Sequence, residues 1–428
     1  MKPRIVGLET EYGFMPMADN MRQRYATLVC VLPQRFLDNG GKVYVNAECS
    51  GKHAMEAKTA THPEYATPEC LSLTLEDIVA HDKAGECILL QKLPMFQLFK
   101  TNSDFYGHRC GCHENYSLSP SENKKEVDIE YELQPFFVAR QVFTGSGRIR
   151  KGVYKISQRN SFFDGYACVV LDREDDFNRS YREGNCRAQV LCGDSNMSEI
   201  ATYLKVGMTC LVLDLLEDGE LPEVAIDKII GTDKCFRSIS SDVSCRVKVP
   251  VTFNGKSCRM SAIEILDEYL EKAMRYAGKD AVTDDVLGKW IYGLEILKED
   301  PMELRWADWV LKKRLLDEFM MAENLPLHHS WVKSVALEYH NINREDSETR
   351  QKGLFYALQD AGKIERVVRD QKILDAMLNP PINTRAWRRA DLIKKYGAEV
   401  NHLSTIWDSL VCDNPCRKIS LNDPFEFR

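Results

Sequence analysis

Glu9 and Glu11 stand two residues apart in Arg4-Ile5-Val6-Gly7-Leu8-Glu9-Thr10-Glu11-Tyr12-Gly13. A β-strand repeats every two residues, so a strand here turns both carboxylates to one face. Neighbouring acids repel each other and are costly to desolvate unless a cation sits between them. Their oxygens suit a hard ion such as Mg²⁺. The same spacing also suits an edge strand with two solvated acids. Downstream, Tyr44 and Asn46 share a strand face, and Thr61-His62-Pro63-Glu64-Tyr65-Ala66-Thr67-Pro68-Glu69-Cys70 adds two more carboxylates. In Cys112-His113-Glu114-Asn115-Tyr116, His113 and Asn115 share one face and Glu114 takes the other. Taken alone, His113 reads as a satisfied core histidine. Basic groups form a second set: Arg140, Arg148, Arg159, Arg173, Arg187 and Arg385. Singly, each reads as a surface ion-pair partner. Acids that hold Mg²⁺ and arginines that reach phosphates are together the parts of phosphoryl transfer. With no Walker A loop and no kinase glycine loop, neither a P-loop ATPase nor a kinase fold is expected.

These groups need strands to carry them. Strand-like runs fill the first half: Arg4 to Phe14, Lys42 to Ala47, Met95 to Lys100, Cys112 to Ser119, Gly152 to Ser157 and Arg187 to Gly193. Helices are expected over Leu75 to Lys92, with Gly85 inside, and over Leu133 to Thr144. Another starts with Asn196 or Ser198 as N-cap and ends at Gly219, and its apolar faces demand burial. Beyond about residue 260 the pattern is helical, over Ala262 to Tyr276, Asp284 to Glu299 and Leu304 to Glu323. The expected class is α+β, with an antiparallel sheet, helices on one side and function on the other. The expected domains are 1–345, catalytic, and 346–428, a small α/β unit with a break at Asn379-Pro380-Pro381.

Net charge is −7, so no global basic field draws in nucleic acid. No run approaches the length of a membrane span, and Met1-Lys2-Pro3-Arg4 does not read as a signal peptide. A cytoplasmic location is expected. The 15 cysteines are then expected as reduced thiols, mostly small buried hydrophobes. Cys110-Gly111-Cys112-His113, with His108 nearby, looks superficially like a zinc site, and Cys412 and Cys416 form another loose pair. Neither has paired CxxC spacing, so a structural zinc site is not expected.

The combination of motifs resembles the family of Pup–protein ligase and its sister enzyme, the deamidase/depupylase of Pup. The resemblance rests on Gly7-Leu8-Glu9-Thr10-Glu11-Tyr12-Gly13, the His62-to-Cys70 segment, His81-Asp82-Lys83-Ala84-Gly85-Glu86 and Gly111-Cys112-His113-Glu114-Asn115-Tyr116. It extends through Ala139-Arg140-Gln141, Ser157-Gln158-Arg159, Gly193-Asp194-Ser195-Asn196-Met197-Ser198-Glu199 and Pro380-Pro381-Ile382-Asn383-Thr384-Arg385-Ala386. It implies a glutamine-synthetase-like fold, a curved antiparallel sheet that holds Mg-ATP, followed by a small C-terminal domain. The implied reaction is ATP-dependent joining of a carboxylate on a Pup-like protein or peptide to an amine, through an acyl phosphate. By the resemblance, Glu9, Glu11, Tyr44, Glu69 and His113 lie around the metal, Arg159, Arg187 and Arg385 bind nucleotide, and Arg173 is catalytic.

Asn46 stands where the family has an aspartate, and an amide cannot accept a proton as a carboxylate does. An insertion at 47–58 follows, and its Glu48, His53 or Glu56 could supply a replacement base, with Glu48 the leading choice. Where the family has Thr-Arg-Asp-Glu-Pro-His, the chain has Asp172-Arg173-Glu174-Asp175-Asp176-Phe177, and a later family histidine reads as Gln189. The segments Gly193–Glu199 and Asn422-Asp423-Pro424-Phe425 look ligase-like, whereas Thr144–Arg148 and Thr405–Ser409 look depupylase-like. The short stretch from Met15 to Gly41 lacks the depupylase's long loop, which favours ligase-type chemistry. The alternative is a Pup-type amidohydrolase that keeps nucleotide as cofactor, or a catalytically silent nucleotide-binding relative.

Overall fold

A computed structural model describes residues 1–16, 32–47, 61–105, 109–119, 126–159, 169–171, 186–226, 231–347, 350–413 and 415–426. Its centre is an eight-stranded sheet. In chain order the strands are β1 (Ile5–Glu11), β2 (Arg35–Phe36), β3 (Lys42–Ala47), β4 (Thr61–Ala66), β5 (Cys70–Leu71), β6 (Cys112–Leu118), β7 (Val169–Leu171) and β8 (Cys186–Val190). Their spatial order is β7-β8-β6-β1-β4-β3-β2, with β5 also paired to β1. Every pairing is antiparallel. β1, β3, β4, β6 and β8 carry apolar residues at alternate positions, so one face can be buried while the other stays polar.

The buried face takes Val6 and Leu8 from β1, Tyr116 and Leu118 from β6, and Ala188 and Val190 from β8. Against them pack α1 (Leu75–Lys92), α2 (Glu126–Thr144) and α3 (Glu199–Asp218), through side chains such as Ile78, Val79, Phe136, Phe137, Leu204 and Leu211. Full burial of one such side chain is worth about 1.5–3 kcal/mol. α3 is buried all round from Glu199 to Leu216, as its apolar sequence requires. Ser198 is its N-cap, accepting from Ala201 N, and Gly219 closes it with φ 72°. Gly85 sits mid-helix in α1 because the Tyr65 ring of β4 occupies the space a Cβ would need.

Several boundaries depart from the sequence reading. The first strand does not run through to Phe14. Tyr12 interrupts it, and Gly13–Pro16 pairs instead with Phe96–Phe99 in a separate two-stranded sheet. α2 starts at Glu126 and carries Pro135 inside it. The helix expected from Leu304 starts at Asp308, after a short 3₁₀ turn at Pro301–Glu303. A three-stranded sheet of Val224–Ile226, Lys248–Phe253 and Lys256–Ser261 precedes the helical region. Past residue 346, the helices Leu354–Asp360 and Asp370–Leu378 bury side chains in the main cores. From α4 (Arg385–Tyr396) onward, Ile393, Val400, Leu410, Cys412 and Leu421 form a small cluster of their own, closed by Phe36. Among the described residues no helix is long and apolar enough to cross a membrane.

Candidate nucleotide and metal site

The sheet face away from the helices gathers several of the polar residues singled out in the sequence. Residues directly opposite each other in antiparallel strands project to the same side. Glu9 faces His113 of β6 and Ala66 of β4, and Glu11 faces Glu64 of β4. On β3, Tyr44 faces Glu64 and Asn46 faces His62. One surface therefore gathers Glu9, Glu11, Glu64, Tyr44, His62 and His113. The Tyr44 hydroxyl donates to Glu64 Oε1.

Glu9 sits among polar neighbours. Its Oε1 accepts from Asn115 Nδ2 at 3.2 Å and lies 3.6 Å from the Arg187 guanidinium. Its Oε2 accepts from Gln189 Nε2 at 3.2 Å and lies 3.4 Å from His113 Nδ1. Burial alone would raise the Glu9 carboxyl, but His113, Arg187 and Asn115 together hold it below its ordinary value. It therefore stands ionised near neutral pH. Glu11 Oε2 accepts from Gly111 N at 2.5 Å. Gly111 packs closely here: a Cβ would lie 2.9 Å from His113 Nε2 and 3.2 Å from Glu11 Oε1, so both side chains would have to shift.

Beside Glu9 opens a solvent-open cleft. Ile5, Gly7, Glu9, Arg187, Arg385 and Trp407 are among its walls. Trp407 packs on the C-terminal cluster, and Pro424 also lines the cleft. Both segments, Thr405–Ser409 and Asn422–Phe425, stand out in the sequence as family-like, but nothing along the chain shows that they wall a cleft beside β1. Arg385, the first residue of α4, donates from Nη1 to Leu421 O at 3.0 Å, and its own N–H donates to Pro424 O. The two segments Pro380–Ala386 and Asn422–Phe425 therefore meet at one wall.

Of the other expected site residues, Glu69 lines the same cleft but is committed to arginines, whereas Arg159 and Arg140 lie elsewhere. Glu69 has both carboxylate oxygens taken by arginines: Arg385 Nε at 2.7 Å, Arg389 Nη1 at 2.9 Å and Arg389 Nη2 at 2.5 Å. Burial would push its carboxyl up, but the Arg389 and Arg385 charges hold it down to about 2. Its chemistry is that of an anchor for α4. Glu64, five residues earlier, is the acid of that segment that shares a face with Glu9 and Glu11. The register, which alternates strictly, is the signal that picks it out. Arg159 is buried, donating to Cys110 O at 3.1 Å and Leu191 O at 2.7 Å. Arg140 lies on the helix side of the sheet, paired with Glu114 at 2.6 and 2.7 Å. Glu48, His53, Glu56, Arg173 and the Asn46 side chain lie outside the described residues.

Carboxylates and a phenol are hard oxygen donors, so this face fits Mg²⁺. Mg²⁺ needs only one or two protein carboxylates when phosphates and water complete its shell. Fold and donor set define a class: ATP-dependent carboxylate–amine ligases, with an antiparallel sheet, helices behind it, and acids and arginines in front. The profile of the Pup-ligase protein family matches residues 17–411, and the chain belongs to that family. It is 36% identical to the depupylase of Acidothermus cellulolyticus over 89% of this chain and 75% of that one. It is 33% identical to the Pup–protein ligase of Kineococcus radiotolerans over 100% of this chain and 97% of that one. The structure of the ligase PafA in complex with Pup superposes with TM-score 0.83 at 27% identity, covering 99% of this chain and 89% of that one. That of PafA with ADP gives 0.77 at 27% identity, covering 95% and 90%.

Proposed function

We propose that the chain is an ATP- and Mg²⁺-dependent ligase that joins the carboxylate of a Pup-like protein to an amine, in the cytoplasm. The observation that carries this reading is the single sheet face bearing Glu9, Glu11, Glu64, Tyr44 and His113 beside a cleft walled by Arg187 and Arg385. ATP, as substrate, supplies the phosphoryl group that makes a poor acceptor carboxylate reactive as an acyl phosphate. The chain's own residues do the rest. Glu9, Glu11 and Glu64 hold Mg²⁺, with Tyr44 and His113 beside them. Arg187 and Arg385 offset phosphate charge at the cleft. Arg159 fixes the Cys110 backbone from behind, and Glu69 sets Arg385 at the wall. Asn46 lacks the basicity of a carboxylate, so the base role passes to the 47–58 insertion, first to Glu48, with Arg173 assisting. If Glu48→Gln, Glu56→Gln and His53→Ala all retain full turnover, that assignment fails.

The test incubates the purified chain with Mg-ATP, a Glu-terminated Pup-like protein and a lysine-bearing protein. ADP release coupled to an isopeptide-linked conjugate is expected. The depupylase relative at 36% identity supports a second reading, amide hydrolysis with nucleotide as cofactor. Cleavage of a preformed conjugate without net ATP turnover would favour it over ligation. Nucleotide binding with neither reaction would point to a silent relative.

A further inference from the structure

At the far end of the acid row, the fold assembles a donor set of another chemical character. Glu11 from β1, His62 from β4 and Cys110 from the loop before β6 are all buried, and one potential ligand atom from each lies within 4.8 Å of the others. The His62 Nδ1 to Cys110 Sγ separation is 3.5 Å. With Zn–S near 2.3 Å and Zn–N near 2.0–2.1 Å, two ligands of a tetrahedral ion stand ~3.6 Å apart. The imidazole and thiol are already at that spacing, and a carboxylate shift of about 1 Å would bring Glu11 into it.

The backbone around Cys110 is fixed as a ligand's support should be. Asn102 Nδ2 donates to Cys110 O at 3.0 Å, Arg159 Nη1 donates to that Cys110 O at 3.1 Å, and Cys110 N donates to Asn102 O at 3.1 Å. Asn102 is itself held by Ser195, whose N–H donates to its Oδ1 at 2.6 Å. On the next residue, Gly111 N donates to Glu11 Oε2, which ties the loop to β1.

We propose that Glu11, His62 and Cys110 form a site for a thiophilic divalent transition ion, Zn²⁺ or Co²⁺, next to the Mg²⁺ acids. Sulfur and imidazole select such ions over Mg²⁺, which prefers oxygen. Binding turns the Cys110 thiol into a thiolate and releases its proton to solvent. Three protein ligands leave a fourth position for water or a substrate group. The proposal touches the ligase reading only through Glu11: an ion held here engages an acid that Mg²⁺ also needs, so Zn²⁺ would antagonise Mg²⁺.

The test is a Co²⁺ titration of the full chain under reducing conditions without nucleotide, so it reads the site whether or not ligation occurs. One Co²⁺ per chain is expected, with a thiolate-to-cobalt charge-transfer band. Cys110→Ser, nearly isosteric, should lose the band and weaken Co²⁺ binding more than ~10-fold, since even outer partners of metal ligands are worth about 10–100-fold. His62→Gln should weaken it comparably while leaving the band position tied to Cys110. Absence of Co²⁺ binding, binding without the band, or a band that survives Cys110→Ser would overturn the proposal. A wild-type level of nucleotide binding in Cys110→Ser would confirm that the variant is folded.

Discussion

Glu114 and Glu9 sit on adjacent strands, one residue apart in register, and face opposite ways. Glu114 points into the helices, fully buried, with the Arg140 guanidinium on both oxygens and the Tyr116 hydroxyl donating at 2.7 Å. No Cβ fits at Gly193, because Glu114 occupies its place. Glu9 points the other way, toward amides, an imidazole and an arginine on the rim of a cleft. One acid is matched to a fixed cation and sealed. The other is ionised by its surroundings and left at a surface that a ligand can reach. Sequence distance does not separate the two roles; the parity of a residue within its strand does.

The comparison breaks first at Arg140. Arg140→Met leaves Glu114 charged and buried without its partner, so stability should fall by about 3–5 kcal/mol. Denaturant unfolding measures this. A loss under 1 kcal/mol would mean that Glu114 is protonated or hydrated in the variant, and the contrast with Glu9 would weaken. Glu9→Gln should do the reverse. Its unfolding midpoint should hold, while turnover drops about 10²–10³-fold, the several kcal/mol expected when a catalytic metal loses a ligand. A variant that unfolds but turns over normally once folded would make Glu9 structural.

A second pair sharpens the point within one segment. Glu64 shares its face with Glu11 and Tyr44, whereas Glu69 is clamped by Arg385 and Arg389. The Glu69 carboxyl lies at about 2 in the folded chain against an ordinary 4.5. A depressed carboxyl stabilises above its unfolded value, and that contribution is lost as pH falls from about 4.5 through about 2. The shift corresponds to ~3 kcal/mol. In Glu69→Gln the acid limb of stability over that window should flatten. An unchanged limb would remove Glu69 from the anchor role.

Much of this was legible in the sequence, and the omissions have a common cause. The period-two spacing of Glu9 and Glu11 gave their shared face, and the caps of α3 were readable as Asn196 or Ser198 at one end and Gly219 at the other. The choice between Glu64 and Glu69 was not readable, because β4 ends at Ala66 and alternation stops where the strand stops. The place of Trp407 at the cleft and the meeting of Glu11, His62 and Cys110 were equally hidden. Spacing along the chain describes one strand at a time. It could discount paired-cysteine zinc motifs around Cys110, but it could not show that β4 brings His62 to that cysteine.

The finest cut concerns what surrounds Glu9 rather than Glu9 itself. Gln189 donates one neutral amide hydrogen bond to it at 3.2 Å, where Arg140 gives Glu114 a full charge. A hydrogen bond to a charged group contributes about 1.5–3 kcal/mol when well formed, and less at this length and partial exposure. Gln189→Leu should therefore cost ~1 kcal/mol, read as a less than tenfold rise in the Mg²⁺ concentration needed for half-maximal turnover. It should also move the Glu9 carboxyl back up, shifting the acid side of the pH–rate profile to higher pH. Both changes should be small because Asn115, Arg187 and His113 still hold Glu9 ionised. A loss beyond 100-fold would mean that Gln189 itself touches metal, nucleotide or substrate. The open face would then be built from more than its acids, and its difference from the sealed Glu114 pair would lie in the whole row across β6, β1 and β8.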